Sequence, residues 1–227
     1  MNTRRQLRLS NAIEDYLKAI YELQQRDDRV STNALADQLG FAPASVTGML
    51  KKLATYEPPM VDYTRHHGVR LTSAGERIAL EIVRHHRLIE LYLVEALGYT
   101  WDEVHDEADR LEHVISEEFE DRIAAFLGYP EIDPHGSPIP SKEGEKVKLP
   151  GQSLNTLQAG DSGRVVRVND DDPALLRYVA KLGLTPGAIV YVIERGPFDS
   201  PLQVRVGDGD PHDLGPTVTA NIFVEPV

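Results

Sequence analysis

The fold of this protein is decided by residues 31–57, STNALADQLGFAPASVTGMLKKLATYE. A hydroxyl at Ser31 or at the next residue can cap a short helix that ends at Leu39, and a proline opens a second helix over 43–52. Gly40 supplies the turn between the two helices. Two short helices around a glycine turn are typical of a helix-turn-helix, although any helical hairpin of an all-α domain can show the same pattern.

The next segment, PPMVDYTRHHGVRLT, predicts two short strands, 60–64 and 69–72, around a His-His-Gly turn. A hairpin placed there would be the wing of a winged helix-turn-helix. Basic side chains on the second helix and at the wing would then grip DNA phosphates on both sides of a groove, although each could also be ordinary surface charge. These residues are Lys51, Lys52, Arg65 and Arg70.

Helical periodicity continues on both sides of this module. An amphipathic helix is predicted over 11–26, a long one from 73 to a stop at Gly98, and a third over 100–128. A pair of helices has little core of its own, so we expect the apolar stripes of the last two to be buried against a second copy of the chain, in a symmetric homodimer.

The last third of the chain changes to short β-rich runs separated by Gly, Pro and Asp, with one helix inserted after three consecutive aspartates. The fold class predicted is mainly α with a small β-barrel. We expect a DNA-binding domain over 1–72, a helical dimerisation domain over 73–140, a linker over 141–150 and a barrel over 151–227.

Composition narrows the chemistry. The 227 residues include 36 acidic and 24 basic side chains and no cysteine, so disulfides, thiolate nucleophiles and iron–sulfur clusters are excluded. The net charge is +2 over 1–72, −11 over 73–140 and −3 over the remainder, which leaves the first segment as the candidate for DNA. The sequence has no long apolar run and no signal peptide, so we expect a soluble, cytoplasmic protein that does not span a membrane.

The acidic middle segment holds five of the eight histidines and carries the candidate metal ligands. Asp109, Glu112 and His113 stand at i, i+3 and i+4 of the predicted third helix, and His86 and Glu90 stand at i and i+4 of the second. One such set could arise by chance on a solvated acidic helix, but two sets make that alternative weaker. Nitrogen and oxygen donors without sulfur suit Mn(II) or Fe(II), and coupling to DNA would need a carboxylate of the first helix, Glu14 or Asp15.

Three segments, RHHRLIE (84–90), VHDEADRLEHVISEE (104–118) and DPHGSPIP (133–140), together with the winged helix and the β-rich tail, resemble the diphtheria toxin repressor family. The resemblance implies a C-terminal SH3-like domain. It also implies three sets of site residues. They are a primary metal site of Asp15, Asp109, Glu112 and His113, an ancillary site of His86, Glu90, His105 and Asp172 (or Asp171), and base-proximal contacts at Ala44, Ser45, Thr47 and Gly48.

Two positions of the resemblance bear on the metal. Iron-type members of the family carry Met and Cys where this chain has Asp15 and Asp109, and hard oxygen ligands favour Mn(II) over Fe(II) as the cofactor. A further carboxylate that manganese-type members carry one turn after the first-helix aspartate is replaced here by Lys18, which argues against a paired two-metal site.

The sequence therefore predicts a transcriptional regulator rather than an enzyme. Mn(II), or Fe(II), would act as a co-repressor that closes a homodimer on double-stranded operator DNA and controls metal uptake genes. The alternatives are an iron-responsive regulator, a winged-helix regulator that needs no metal, and a metallohydrolase, which would lack an HExxH motif and leave the winged helix unexplained.

Overall fold

The computed structural model describes residues 9–145, 148–198 and 200–227. The chain divides into two compact units. The first consists of the described residues up to 85 together with 112–114 and 140–145, and the second consists of 86–111, 115–139 and the described residues from 148 to the end. Within the described residues, no helix has the length and apolar character needed to cross a membrane.

The first unit contains the predicted winged helix-turn-helix. Ser31 caps its second helix by accepting a hydrogen bond from the backbone of Ala34, and Gly40 ends that helix with a φ of 68°. The wing is an antiparallel hairpin with Val61 opposite Leu71. The elements are α1 (Asn11–Leu23), α2 (Thr32–Leu39), α3 (Pro43–Leu53), β1 (Val61–Thr64) and β2 (Gly68–Leu71), followed by the long helix α4 (Ser73–Leu97).

One core holds this unit together. It is formed by apolar side chains of α1, α2, α3 and the hairpin together with the first half of α4, and its largest fully buried members include Leu17, Ile20, Leu35, Leu50, Leu53 and Ile78. Burying each such side chain stabilises the fold by about 1.5–3 kcal/mol. The recognition helix α3 is therefore anchored to α1 through shared apolar packing.

The prediction of one helix over 100–128 is wrong, because the structure contains two helices, α5 (Val104–Leu111) and α6 (Glu117–Phe126). Ser116 starts α6 by accepting a hydrogen bond from the backbone of Phe119. Residues 112–114 form a turn, and the ring of His85 lies within hydrogen-bond distance of the carbonyl of Glu112, 3.1 Å from Nδ1. Glu112 and His113 are therefore presented by a turn and not by the face of a helix.

The C-terminal part of the second unit is a six-stranded antiparallel sheet with the order β3-β8-β4-β5-β6-β7. Its elements are β3 (Gln152–Ser153), β4 (Ser162–Val168), α7 (Pro173–Lys181), β5 (Ile189–Arg195), β6 (Leu202–Val206), β7 (Pro211–Leu214), α8 (Pro216–Ala220) and β8 (Ile222–Pro226). Among the described residues β3 and β7 remain unpaired edges, so the predicted closed barrel is not confirmed. The pairing register shifts once between β4 and β8 and once between β5 and β6, and such irregularities bend a sheet, but β3 and β7 do not pair with each other.

Candidate metal centres and nucleic-acid interface

Three of the predicted primary ligands meet in the first unit, and we call this group centre 1: Asp15, Glu112 and His113. Nε2 of His113 lies 2.8 Å from Oδ1 of Asp15 and 3.5 Å from Oε1 of Glu112. All the ligand atoms lie within 4.8 Å of one another. Two carboxylates and an imidazole that converge in this way fit a divalent cation with a preference for oxygen and nitrogen.

The ring of His113 is held from its other side by Glu14. Nδ1 lies 2.7 Å from Oε2 of Glu14, a carboxylate that is only 2% exposed. Burial alone would lower the pKa of His113, but the hydrogen bonds to Asp15 and Glu14 and the charge of Glu112 outweigh it and raise the pKa to about 9. The metal-free centre therefore holds an imidazolium between two carboxylates at neutral pH.

A fixed cation also lies at centre 1. Nζ of Lys18 donates to Oε2 of Glu112 at 2.8 Å, and the lysine is 9% exposed while Glu112 is 1% exposed. Lysine is almost never buried to this degree unless it is paired. The position of Lys18 at the centre is therefore set by this ion pair.

A second cluster lies in the second unit, and we call it centre 2: Glu90, Asp133, His135 and Asp170, with ligand atoms within 4.8 Å of one another. Glu90, Asp133 and His135 are at most 3% exposed. Among the residues that the structure describes, none hydrogen-bonds to Oε2 of Glu90, Oδ2 of Asp133 or Nδ1 of His135, although Nε of Arg87 lies 3.5 Å from the Asp133 oxygen. Buried polar atoms are rarely left unpaired, so their convergence fits a bound cation.

The loop of centre 2 is shaped for this geometry. Oδ1 of Asp133 accepts hydrogen bonds from the backbone of His135 and Ser137 at 2.8 and 2.9 Å. Gly136 has a φ of 88°, and a Cβ there would lie 1.9 Å from the carbonyl oxygen of Val166. Only glycine therefore fits between the loop and strand β4.

The tautomer of His135 is fixed by Trp101. Nε2 lies 2.7 Å from the carbonyl oxygen of Trp101, which only accepts, so this nitrogen carries a proton and Nδ1 faces the carboxylates. The indole also stacks on the imidazole, with ring centroids 5.5 Å apart. Burial and the nearby charge of Glu90 raise the pKa of Asp133 to about 7. Burial lowers the pKa of His135, but the carboxylates of Glu90 and Asp170, 3.8 and 3.7 Å from its Nδ1, outweigh burial and raise that pKa to about 9.

The predicted ancillary ligands are brought together in part. Nε2 of His86 lies 3.0 Å from Oε1 of Glu90 and 3.2 Å from Nδ1 of His105. Asp109, predicted for the primary site, contacts this histidine pair, with Oδ1 3.2 Å from Nδ1 of His86. The place of Asp109 in the primary set stays a prediction. Glu90 directs one oxygen to the histidines and the other to centre 2.

The three consecutive aspartates have different partners in the structure, and the place of Asp172 in the ancillary set stays a prediction. Asp172 caps α7 by accepting hydrogen bonds from the backbone of Ala174 and Leu175. Asp171 accepts one from the side chain of Asn169. Asp170 is the aspartate that reaches centre 2, with Oδ2 3.7 Å from Nδ1 of His135.

Sequence reasoning missed Asp133, His135 and Asp170 as members of a site. The first two belong to the segment DPHGSPIP, which carried the family resemblance but was given no role. The Asp-x-His spacing next to a glycine was the available signal, since such a turn can direct both side chains to one side.

A groove of about 550 Å³ separates the helix-turn-helix from the wing. Four of the predicted DNA contacts line it: Ala44, Thr47, Lys51 and Arg65. The other predicted contacts, Ser45, Gly48, Lys52 and Arg70, are exposed on the same two elements, outside the groove lining. Arg70 is paired with Asp62 at 3.0 Å. Lys51 and Arg65 place two cations at this groove, and their contact with DNA phosphates stays a prediction.

The first unit and the two carboxylate and imidazole centres together define a class, the metal-dependent winged-helix DNA-binding proteins. Family models agree over most of the chain. Residues 8–69 match the iron dependent repressor N-terminal DNA binding domain, residues 72–141 match the iron dependent repressor metal binding and dimerisation domain, and residues 152–226 match the FeoA domain.

Similar proteins match most of the length of this chain. The iron-dependent repressor IdeR of Mycobacterium leprae is 30% identical over 225 residues, which cover 92% of this chain and 96% of the relative. The diphtheria toxin repressor of Corynebacterium diphtheriae is 31% identical, with 88% and 83% covered. A solved structure of a manganese-dependent transcriptional repressor in complex with manganese is 41% identical with a TM-score of 0.88, covering 95% of this chain and all of that one. The chain belongs to the diphtheria toxin repressor family of metal-dependent transcriptional repressors.

Proposed function

We propose that this chain is a manganese-responsive transcriptional repressor, which binds double-stranded operator DNA as a homodimer when centre 1 holds Mn(II). The observation that carries the proposal is the 2.8 Å contact between Asp15 and His113. Asp15 lies on α1, which shares its core with the recognition helix α3. His113 lies in the segment that matches the metal binding and dimerisation family model.

The donor set favours Mn(II). Centre 1 offers carboxylate oxygens and an imidazole, and the whole chain has no cysteine. Hard oxygen donors suit Mn(II) and, less specifically, Fe(II), whereas Zn(II) would bind through raw affinity if it were available. The solved structure of a manganese-dependent transcriptional repressor, 41% identical to this chain, supports the same choice.

The carboxylates of centre 1 link metal binding to the position of α1. Glu14, Asp15 and Glu112 are like charges held close together, and in the metal-free centre the imidazolium of His113 and the ammonium of Lys18 offset their repulsion. When bound, a divalent cation would take the place of the His113 proton as the positive charge between Asp15 and Glu112. Asp15 and His113 then hold α1 and the turn in one arrangement, so that DNA affinity and metal affinity are linked.

A second copy of the chain is the partner we propose for the apolar surface of the second unit. Large side chains at the end of α4 and on α6 are exposed, and they include Leu97, Phe119 and Phe126 at 57%, 46% and 67%. A dimer would bury this surface and present two α3 helices to a two-fold operator.

Centre 2 is proposed as a second metal site with a structural role. Glu90 comes from α4, Asp133 and His135 from one loop, and Asp170 from the segment between β4 and α7. The unpaired buried oxygens and nitrogen described above support it. A cation there would tie these three segments of the second unit together.

Fluorescence anisotropy with DNA from the protein's own promoter, at fixed salt because phosphate contacts make affinity salt-dependent, tests the proposal. Mn(II) should tighten binding by more than about tenfold over chelator, within the usual range of coupling energies. Asp15→Ala should abolish the gain, whereas Asp27→Ala, which changes an exposed carboxylate of the same unit, should keep it. A larger gain with Fe(II) would favour the iron-responsive alternative, and no gain with any metal would favour a metal-independent repressor.

A further inference from the structure

Lys18 lies one helical turn after Asp15 on α1 and places an ammonium group inside centre 1. Its ion pair with Glu112 is almost completely buried. A buried ion pair is a weak source of stability, because desolvation offsets much of the attraction between the charges. Its presence at a cation site therefore points to a role in that site.

The ion pair divides the carboxylate of Glu112 between two partners. Oε2 accepts from Nζ of Lys18 at 2.8 Å, while Oε1 lies 3.5 Å from Nε2 of His113 on the side of Asp15. Oε1 of Glu112 therefore faces His113 and Asp15. Oε2 is occupied by the ammonium of Lys18, which blocks the approach of a second cation to that oxygen.

The charges of the described residues at centre 1 lead to the same conclusion. Glu14, Asp15 and Glu112 carry three negative charges, and Lys18 carries one positive charge. A single divalent cation beside a neutral His113 brings the total to zero. A second divalent cation would bring the total to +2 beside the buried Lys18 and Glu112, where excess positive charge is unfavourable.

We propose that Lys18 is a specificity-determining residue of centre 1: its ammonium limits the centre to one divalent cation and competes with that cation for Glu112. The inference rests on the proposed function, since it requires that centre 1 binds a divalent cation. Lys18 thereby lowers the affinity of the centre, and sets the metal concentration at which the repressor responds.

The test uses the full-length chain carrying Asp170→Asn and His105→Gln, which disable centre 2 and the cluster of His86, His105 and Asp109, so that the ion count reports centre 1. Lys18→Gln and Lys18→Met remove the charge with little loss of volume, and Lys18→Arg keeps it. Mn(II) titrations are followed by the loss of the sharp EPR signal of aquated Mn(II), which gives both the number of bound ions and their affinity. Circular dichroism and thermal unfolding check each fold.

We expect one bound ion per chain with Lys18 or Arg. The Gln and Met variants should bind the first ion at least about tenfold more tightly, because they remove a positive charge that repels the ion at short range and competes with it for Glu112. Lys18→Glu should admit a second ion, with the broadened EPR signal of a spin-coupled pair.

Three results would overturn the inference alone: unchanged or weaker affinity in both uncharged variants, two ions at centre 1 of the chain with Lys18, or one ion in Lys18→Glu. A chain with Lys18 that binds no Mn(II) at centre 1 would instead overturn the proposed function. If one uncharged variant does not fold, the other still decides the question, and Lys18→Arg shows whether the charge or the shape of the side chain matters.

Discussion

Glu14 lies 2.7 Å from Nδ1 of His113, while Nε2 of the same ring faces Asp15 at 2.8 Å. The buried carboxylate therefore fixes the orientation of the ring and decides which nitrogen is presented to a metal. A carboxylate behind a histidine ligand also raises the basicity of the nitrogen that faces the ion. We therefore expect Glu14 to act as a positioning residue for centre 1.

Replacing Glu14 by Gln should lower the Mn(II) affinity of centre 1 by about 10- to 100-fold, because the ring loses its charged orienting partner. Isothermal titration calorimetry would measure the change. Glu22→Gln is the matched control, since it makes the same substitution at a half-buried position of α1 where the carboxylate binds Gln38. Equal losses in both variants would contradict the assigned role.

The affinity of centre 1 should rise with pH. The pKa of His113 is raised to about 9 in the metal-free chain, so at pH 7 the ring must lose a proton before its nitrogen can bind a metal. We expect the Mn(II) affinity to increase by up to about tenfold per pH unit from pH 7 and to level off near pH 9. Calorimetry in buffers of different ionisation enthalpy should detect the released proton. A flat profile over that interval would contradict the prediction.

The same pKa shift has the opposite effect on the metal-free fold. Because the pKa of His113 is higher in the folded state than the unfolded value of about 6.5, its ion pairs stabilise the fold fully below pH 6.5. This contribution is lost as the pH rises through about 9. Thermal unfolding with chelator should show a falling Tm over that interval, and His113→Gln should remove the part of the fall that comes from this residue.

Asp133→Asn should have opposite effects on the stability of the protein with and without a metal at centre 2. At pH 8, above the pKa of about 7, the substitution removes a buried negative charge beside Glu90 and keeps the oxygen that accepts from His135 and Ser137. We expect a higher Tm in chelator and a loss of the rise in Tm caused by Mn(II). Asp208→Asn, at a fully exposed carboxylate of the same unit, should change neither value.

Trp101 offers an independent measurement of centre 2. It is the single tryptophan of the chain, and its ring stacks on His135. Mn(II) binding at centre 2 should therefore change its fluorescence, and Asp133→Asn should abolish the change. If the fluorescence responds equally in the variant, the cation binds elsewhere.

Basic residues of the groove should differ from those outside it in their effect on DNA binding. Lys51→Ala and Arg65→Ala should weaken binding to all sequences and reduce the slope of log affinity against log salt by about one each. Arg70→Ala should have a smaller effect, because Arg70 is already paired with Asp62. Equal slopes for the three variants would contradict the assignment of the groove as the phosphate path.

The local parts of the fold could be predicted from the sequence because their signals are local. Ser31, Gly40 and Pro43 mark the limits of α2 and α3 through capping, a left-handed turn and a first-turn proline. The break between α5 and α6 could not be predicted, since no glycine or proline interrupts the helical period there. The carbonyl of Glu112 is bound instead by His85, which is distant in sequence.

The site shows the same division. Asp15 and His113 are 98 positions apart, and only the family resemblance joined them before the structure did. Asp172 caps α7 and Asp170 reaches centre 2, because α7 begins at Pro173. The sequence does not distinguish these roles, since three consecutive aspartates look alike. Lys18 was identified as a missing carboxylate, while its pairing with Glu112 required the folded chain.

The acidity of the two centres has a consequence for the rate at which the repressor finds its operator. A chain with a formal net charge of −12 approaches a polyanion against long-range repulsion. A divalent ion at each of the two centres brings two positive charges but displaces the proton of His113 or of His135, so at neutral pH it would reduce the negative charge by about two per chain, and twice that per dimer. We therefore expect bound metal to accelerate the encounter with DNA, most clearly at low ionic strength, separately from any change in the dissociation rate.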